Sequence, residues 1–233
     1  MAEPGAALSP ASSTGLTSER VRARMVERVR ELGVHDARVL GAMRRVERHQ
    51  FVDQALASRA YEDTALPLGF GQTISQPYIV ARCAELALTA AIDAKGARVL
   101  EVGTGCSYSA AVLSEMFGTV YSIERVRALH ELARSNVRPL RIANLRLVFG
   151  DGMLGLPSEA PFDAIVSTAA GDEIPAPWID QLALGGVIVA PLGRGLQVLT
   201  VLSKSPEGRI ARQEHEPVRF VPLVQGTVTM DGR

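Results

Sequence analysis

Cysteine is nearly absent: Cys83 and Cys106 are the only two in 233 residues, and they form no CxxC pair. They build neither a disulfide framework nor a cysteine metal centre, and a reducing, cytoplasmic setting fits them best. No apolar run reaches the roughly 18–20 residues that a membrane-spanning helix needs, so no membrane role is expected. The opening MAEPGAALSPASSTG has no basic segment followed by an apolar one and does not read as a secretory signal. Its Ala, Ser, Pro and Gly predict a disordered leader over residues 1–17. An excess of one charge is also lacking, with Lys+Arg and Asp+Glu at 25 each, so no global field draws the chain to nucleic acid. The arginines from Arg20 to Arg48 alternate with glutamates and apolar residues, the pattern of a solvated helix face. His35, His49, His130 and His215 show no HxxxH or HExxH spacing, and no metal site is expected. His49 and His215 are expected at the surface. No GxSxG elbow is present, which argues against a serine hydrolase. Internal repeats are absent.

What is present is apolar: 47% of residues, enough for one sizeable α/β domain with an accessory segment. Ser18 is placed to cap a helix carrying Val21, Met25, Val29 and Leu32 at helical spacing, stopped by Gly33. Asp36 starts a second, with Leu40, Met43 and Val46 on one face. Residues 61–78, YEDTALPLGFGQTISQPY, break the periodicity with Pro67, Gly69, Gly71 and Pro77, and predict a loop. A helix is expected over 79–92. From Arg98 short apolar runs at 98–103, 119–124, 145–151, 162–170 and 185–193 have the length of buried parallel strands. Helical stretches are expected near 107–117, 125–137 and 175–183. The runs 197–205 and 211–223 flank SPEG and read as an antiparallel hairpin. The expected fold is α/β: a doubly wound, mostly parallel, Rossmann-like sheet with an N-terminal helical cap and a C-terminal hairpin.

In such a sheet, ligands bind beyond the carboxyl ends of the strands. There the first strand ends in EVGTGCSY (101–108), with Glu101 on the strand and Gly103, Thr104 and Gly105 on the turn. Glu124 ends the second strand, placed to accept hydrogen bonds from both hydroxyls of a ribose. Asp151 and Gly152 end the third, where a carboxylate and adjacent backbone can meet an adenine amino group. A dinucleotide fold prefers GxGxxG, but the position three after Gly105 is Tyr108. Glu101 repels a diphosphate and suits the aminoacyl and sulfonium end of S-adenosylmethionine. The pattern favours a methyl donor over NAD.

With these residues the chain resembles the protein-L-isoaspartate O-methyltransferase family over about residues 18–225. GQTISQPY (71–78) looks like that family's signature loop, and FVD (51–53), ALPLGFGQ (65–72), APFDAI (160–165), GGVIVAPLG (185–193) and VRFVPLV (218–224) follow in the family's order. The resemblance implies methyl transfer from S-adenosylmethionine to the free α-carboxylate of L-isoaspartyl residues in damaged proteins. The ester then closes to a succinimide, whose hydrolysis returns part of the material to aspartate. Ser75 falls on the family's active-site hydroxyl, and Thr73, Ile74, Gln76, Pro77 and Tyr78 shape the pocket around it. Glu101, Gly103, Thr104, Gly105, Glu124, Asp151 and Gly152 fall on its cofactor-contacting positions. The segment Arg219, Phe220, Val221 resembles the strand whose backbone pairs with the substrate peptide.

The implied layout is a helical cap and signature loop over 18–78, a cofactor-binding domain over 79–225 and a tail over 226–233. A cytoplasmic monomer acting on isoaspartyl proteins is expected. Two other readings keep the fold: a carboxyl methyltransferase acting on aspartate of a biosynthetic peptide, and a non-catalytic cofactor-binding relative. The glycine turn departs from the family, with Ser107 where a third glycine is expected. A serine at φ > 0 costs on the order of 1 kcal/mol. In helical geometry it costs little and its hydroxyl is free to bond the ligand's carboxylate, and this second case is the expectation. Cys106, beside it, is open to oxidation or alkylation if exposed. Asp163 and Trp178 read as structural.

Overall fold

The structure, a computed structural model, describes residues 18–89 and 93–229. The expected leader over 1–17, residues 90–92 and the tail residues 230–233 lie outside the described residues. Helix α1 (Glu19–Glu31) opens where the Ser18 carbonyl accepts the N–H groups of Val21 and Arg22. It stops ahead of Gly33, whose φ of +110° a side chain resists. Helix α2 (Ala37–Arg45) is capped by Asp36, which accepts from the Arg38 N–H at 2.8 Å.

The segment 61–78, expected as a loop, contains a small hairpin: β1 (Leu66–Gly69) pairs antiparallel with β2 (Gln72–Ile74). Its tip turns through Gly69, Phe70 and Gly71, all with positive φ. Pro67 is tolerated because a two-stranded ribbon has only edges. Helix α3 (Pro77–Leu88) starts with Pro77 in its first turn, where a missing N–H costs nothing, so it begins and ends before the expected 79–92.

The main sheet follows. Strand β3 (Arg98–Val102), helix α4 (Tyr108–Ser114), β4 (Thr119–Glu124), helix α5 (Arg127–Val137) and β5 (Leu145–Phe149) build one half. Strand β6 (Phe162–Ser167), helix α6 (Ala176–Gln181), β7 (Leu182–Leu192), β8 (Gln197–Lys204) and β9 (Ile210–Val218) build the other. The order is β5-β4-β3-β6-β7-β8-β9. The strands from β5 to β7 run parallel, and β8 and β9 are antiparallel. The expected hairpin therefore widens the sheet. The β5–β6 link has only two short 3₁₀ turns. Trp178, fully buried, braces that link by donating its indole N–H to the Gly152 carbonyl at 2.8 Å. Asp163 accepts the Arg98 N–H at 2.7 Å and ties the starts of β3 and β6, a structural role.

Successive strand residues face opposite sides. Val99, Val166 and Val189 join Val29, Met43 and Ala84 in one apolar cluster, while Leu100, Ile165, Ile188 and Trp178 form a second on the other face. The helical cap thus shares its core with one face of the sheet. Strand β3 has β4 on one side and β6 on the other, so the winding reverses there and a crevice opens at its carboxyl end.

Candidate active site

At that crevice lies a cleft open to solvent, about 940 Å³ with its open mouth included. Its floor is the turn after β3. Gly103 has φ +96° and donates its N–H to the Ile123 carbonyl at 2.9 Å. A methyl group on Gly103 would overlap Thr168 Oγ1, and that hydroxyl donates to the Gly103 carbonyl at 2.6 Å. Gly105 has φ +53°, and its N–H donates to Glu124 Oε2 at 2.9 Å. The other carboxylate oxygen of Glu124 accepts from the Val126 N–H at 2.9 Å. Each oxygen keeps a lone pair for a ligand hydroxyl.

The opposite wall comes from the β1–β2 hairpin. Leu68, Gln72, Thr73, Ile74 and Ser75 line the cleft. Ser75 is half-buried, and its hydroxyl makes no hydrogen bond to the described residues. Val221 and Leu223 close a third side, held by the end of β6: the Ala170 N–H donates to the Val221 carbonyl at 2.8 Å and the Leu223 N–H to the Ala170 carbonyl at 2.7 Å.

The cleft gathers most of the residues singled out from sequence: Thr73, Ile74, Ser75, Gly103, Thr104, Gly105, Glu124, Gly152 and Val221. The others stand behind it. Glu101 is fully buried under the turn, where Oε2 accepts from the Ser122 hydroxyl and Oε1 has no partner among the described residues. Burial pushes its carboxyl up to about 7, against the opposing pull of the Ser122 and Ser109 hydroxyls. Asp151 accepts from the Met153 N–H at 2.9 Å and from the Gly226 N–H at 2.7 Å. It thereby ties down residues that the sequence had assigned to a tail. Gln76 donates to Asp63, Tyr78 donates its hydroxyl to Glu216, Pro77 is buried and Arg219 is exposed.

Sequence reasoning missed Arg125, Val126, Thr168 and Ala169, all of which line the cleft. They directly follow the ends of β4 and β6, so the strand-end rule that found Glu124 was the available signal. His49 is half-buried against the Tyr61 hydroxyl at 2.8 Å, and His215 sets Nδ1 beside Arg82 and has a buried Nε2. Neither is the plain surface residue expected.

Ser107 also corrects its expectation. Its φ of +73° and ψ of +15° are left-handed rather than helical, and its side chain is buried with an unpartnered hydroxyl that does not line the cleft. Ser107→Gly is expected to stabilise the chain by about 1 kcal/mol, raising the melting temperature by roughly 2–4 °C. Cofactor affinity should change less than about twofold; thermal melts and calorimetric titration check both. Cys106 borders the cleft but is buried, and burial pushes its thiol up to about 11. It carries no thiolate at neutral pH and is not the reactive group its position allowed.

Comparison with known proteins decides the family. The protein-L-isoaspartate(D-aspartate) O-methyltransferase family model matches residues 20–228. This chain belongs to that family. A protein-L-isoaspartate O-methyltransferase of Methylibium petroleiphilum is 53% identical over 230 residues, covering 97% of this chain and 84% of that protein. A solved protein-L-isoaspartate O-methyltransferase superposes with a TM-score of 0.77 at 32% identity, over 86% of this chain and 65% of the other. A Plasmodium falciparum structure described as a beta-aspartate methyltransferase in complex with S-adenosyl-L-homocysteine gives 0.74 at 25% identity, over 87% and 98%. Residues 71–78 supply part of the hairpin wall and the start of α3, and the glycine turn at 103–105 supplies the floor.

Proposed function

We propose that this chain is a repair methyltransferase, moving a methyl group from S-adenosylmethionine to the free α-carboxylate of L-isoaspartyl residues in damaged proteins. The observation that carries the reading is a single cleft lined by the glycine turn, Glu124 and the unpaired Ser75 hydroxyl. The residues present fit the methyl donor. The turn at Gly103 and Gly105 leaves backbone where side chains would crowd a ligand, and Glu124 offers two acceptors at a strand end. Glu101, buried beneath the turn and bonded to the Ser122 hydroxyl, supports that floor from behind and does not line the cleft.

Gly103, Thr104, Gly105, Glu124 and Gly152 would hold the donor, which supplies an electrophilic methyl group when bound. The chain's own part is positioning. A carboxylate with an ordinary pKa near 4 is already ionised at neutral pH, so no residue has to remove a proton. Ser75 Oγ would donate a hydrogen bond to one oxygen of the substrate carboxylate and so hold it in the cleft. Leu68, Val80, Val221 and Leu223 line the cleft with apolar surface and thin the water around the nucleophile. Holding the reactants in line can supply effective molarities of about 10⁵ M or more. Thr73 and Ile74 beside Ser75, and the backbone near Val221, would receive the peptide. Gln76, Pro77 and Tyr78 act from behind that wall, and Arg219, exposed two residues before Val221, would meet the peptide outside the cleft.

The substrate and the cell compartment belong to the same proposal: isoaspartyl proteins met by a monomer in the cytoplasm. No helix among the described residues is long and apolar enough to cross a membrane. The test follows an isoaspartyl peptide incubated with chain and donor by mass spectrometry. A methyl ester, then a succinimide, then a mixture containing aspartyl peptide is the expected sequence. An ester on ordinary aspartate instead would move the reading to a biosynthetic carboxyl methyltransferase.

A further inference from the structure

Asp63 and Arg48 lie outside the cleft, yet Asp63 bonds the two residues Gln76 and Tyr78 that follow Ser75, and Arg48 bonds the turn that carries Asp63. Asp63 Oδ1 accepts from the Tyr78 N–H at 2.9 Å and Oδ2 from the Gln76 side-chain amide at 2.8 Å. Gln76 is the N-cap of α3, but its own side chain forms no cap hydrogen bond. The helix's free N–H at Tyr78 is taken by a carboxylate from a distant stretch of chain, as a cap residue would take it. An anion at that end is also favoured by the helix dipole.

Asp63 is itself held. Arg48 is fully buried, donating from Nε to the Ala60 carbonyl at 2.8 Å and from Nη2 to the Thr64 carbonyl at 3.4 Å. These two carbonyls bracket Asp63. The guanidinium stacks at 4.8 Å over the Tyr108 ring, and Tyr108 lines the cleft. A buried guanidinium is costly to desolvate unless paired, and burial pushes Arg48 below its ordinary value, with the charge of Asp63 among those resisting. The two hydrogen bonds of Arg48 tie the 60–64 turn at both ends, while Nη1 has no partner among the described residues.

We propose that Asp63, backed by Arg48, is a positioning residue for methyl transfer: it caps α3 from outside, fixes the Thr73–Ser75 wall and so sets where the Ser75 hydroxyl sits. This rests on the function proposed above. Misplacement of a positioning group by about 1 Å can cost about 100-fold, and loss of one of two holding bonds costs less.

The test uses the full chain. In Asp63→Asn the Tyr78 N–H keeps an acceptor, but the anion at the helix end is lost and Gln76 can bond only by turning its amide over. Amide exchange over residues 73–78 is expected to quicken about tenfold, and kcat for an isoaspartyl peptide to fall about tenfold. Affinity for S-adenosyl-L-homocysteine should stay within about twofold. The double variant Asp63→Asn with Gln76→Glu reverses donor and acceptor, and is expected to restore amide protection and most of kcat. Val29→Ala, a core change remote from the cleft, gives the effect of lost stability alone and should leave kcat near wild type. Unchanged exchange over 73–78 in Asp63→Asn, or no recovery in the double variant, would overturn the brace. Altered exchange with kcat unchanged would overturn its positioning role. A wild-type chain that leaves isoaspartyl peptide unmodified strikes instead at the function, with the exchange result still deciding the brace.

Discussion

Gly103→Ala is expected to weaken cofactor binding by about 100-fold, the largest single effect in the cleft. The residue holds φ at +96°, where an added Cβ is strained on backbone grounds alone. The new methyl group would also overlap Thr168 Oγ1, at the point where that hydroxyl clamps the Val102 and Gly103 carbonyls at 3.1 and 2.6 Å. Relief requires the turn to leave β6, carrying with it Thr104 and the Gly105 N–H that Glu124 holds. A displacement worth about 3 kcal/mol in binding corresponds to about 100-fold in affinity. Calorimetric titration with S-adenosyl-L-homocysteine reads it directly. Gly185 is the control, since its φ is +81° but an added Cβ meets nothing within 4 Å. Gly185→Ala should cost stability and leave affinity intact. Binding by Gly103→Ala within about threefold of wild type would show that the turn is not the floor of the cofactor site.

Glu101→Gln is expected to remove a large pH dependence of stability. Burial raises this carboxyl from its ordinary 4.5 to about 7 in the folded chain. Between those values the folded state holds a proton that the unfolded state has released, so stability falls as pH rises from about 4.5 to about 7 and is level above. At about 1.4 kcal/mol per pH unit, the loss is on the order of 3 kcal/mol. Glutamine keeps the shape and the acceptor for Ser122 without the charge. The variant and wild type should therefore have similar stability at pH 5, with the variant ahead by up to about 3 kcal/mol at pH 8. Urea unfolding across that range measures the difference, which isolates Glu101 from other titrating groups. Parallel curves for the two chains would mean that Glu101 stays ionised when folded.

The strand ends were legible because parallel strands covered on both faces appear as unbroken apolar runs, and the residue after each run falls at the mouth of the crevice. Glu124 and Gly152 were found that way. Glu101 was assigned to the ligand by the same logic, yet strand residues alternate in direction and the last turn of β3 carries it inward, beneath Ser122. Ser107 misled for a local reason: α4 begins only at Tyr108, so the residue before it takes a left-handed angle that a serine in a helix-like stretch does not announce. The hairpin at 66–74 was hidden by Pro67 and three turn residues, which end long strands but suit a two-stranded ribbon. Val221 and Leu223 reach the cleft through backbone pairing with Ala170, a contact between distant segments that no local pattern encodes. Asp63 is the same case, since a helix capped from outside leaves no capping motif in its own sequence.

The most direct test of the proposed reaction offers the chain labelled S-adenosylmethionine with two peptides that differ only in whether one residue is L-isoaspartyl or L-aspartyl. Label is expected in the isoaspartyl peptide as a base-labile ester, with at most about one hundredth as much in its twin. Equal labelling of both, or labelling of neither by a chain that binds the cofactor, would contradict the account.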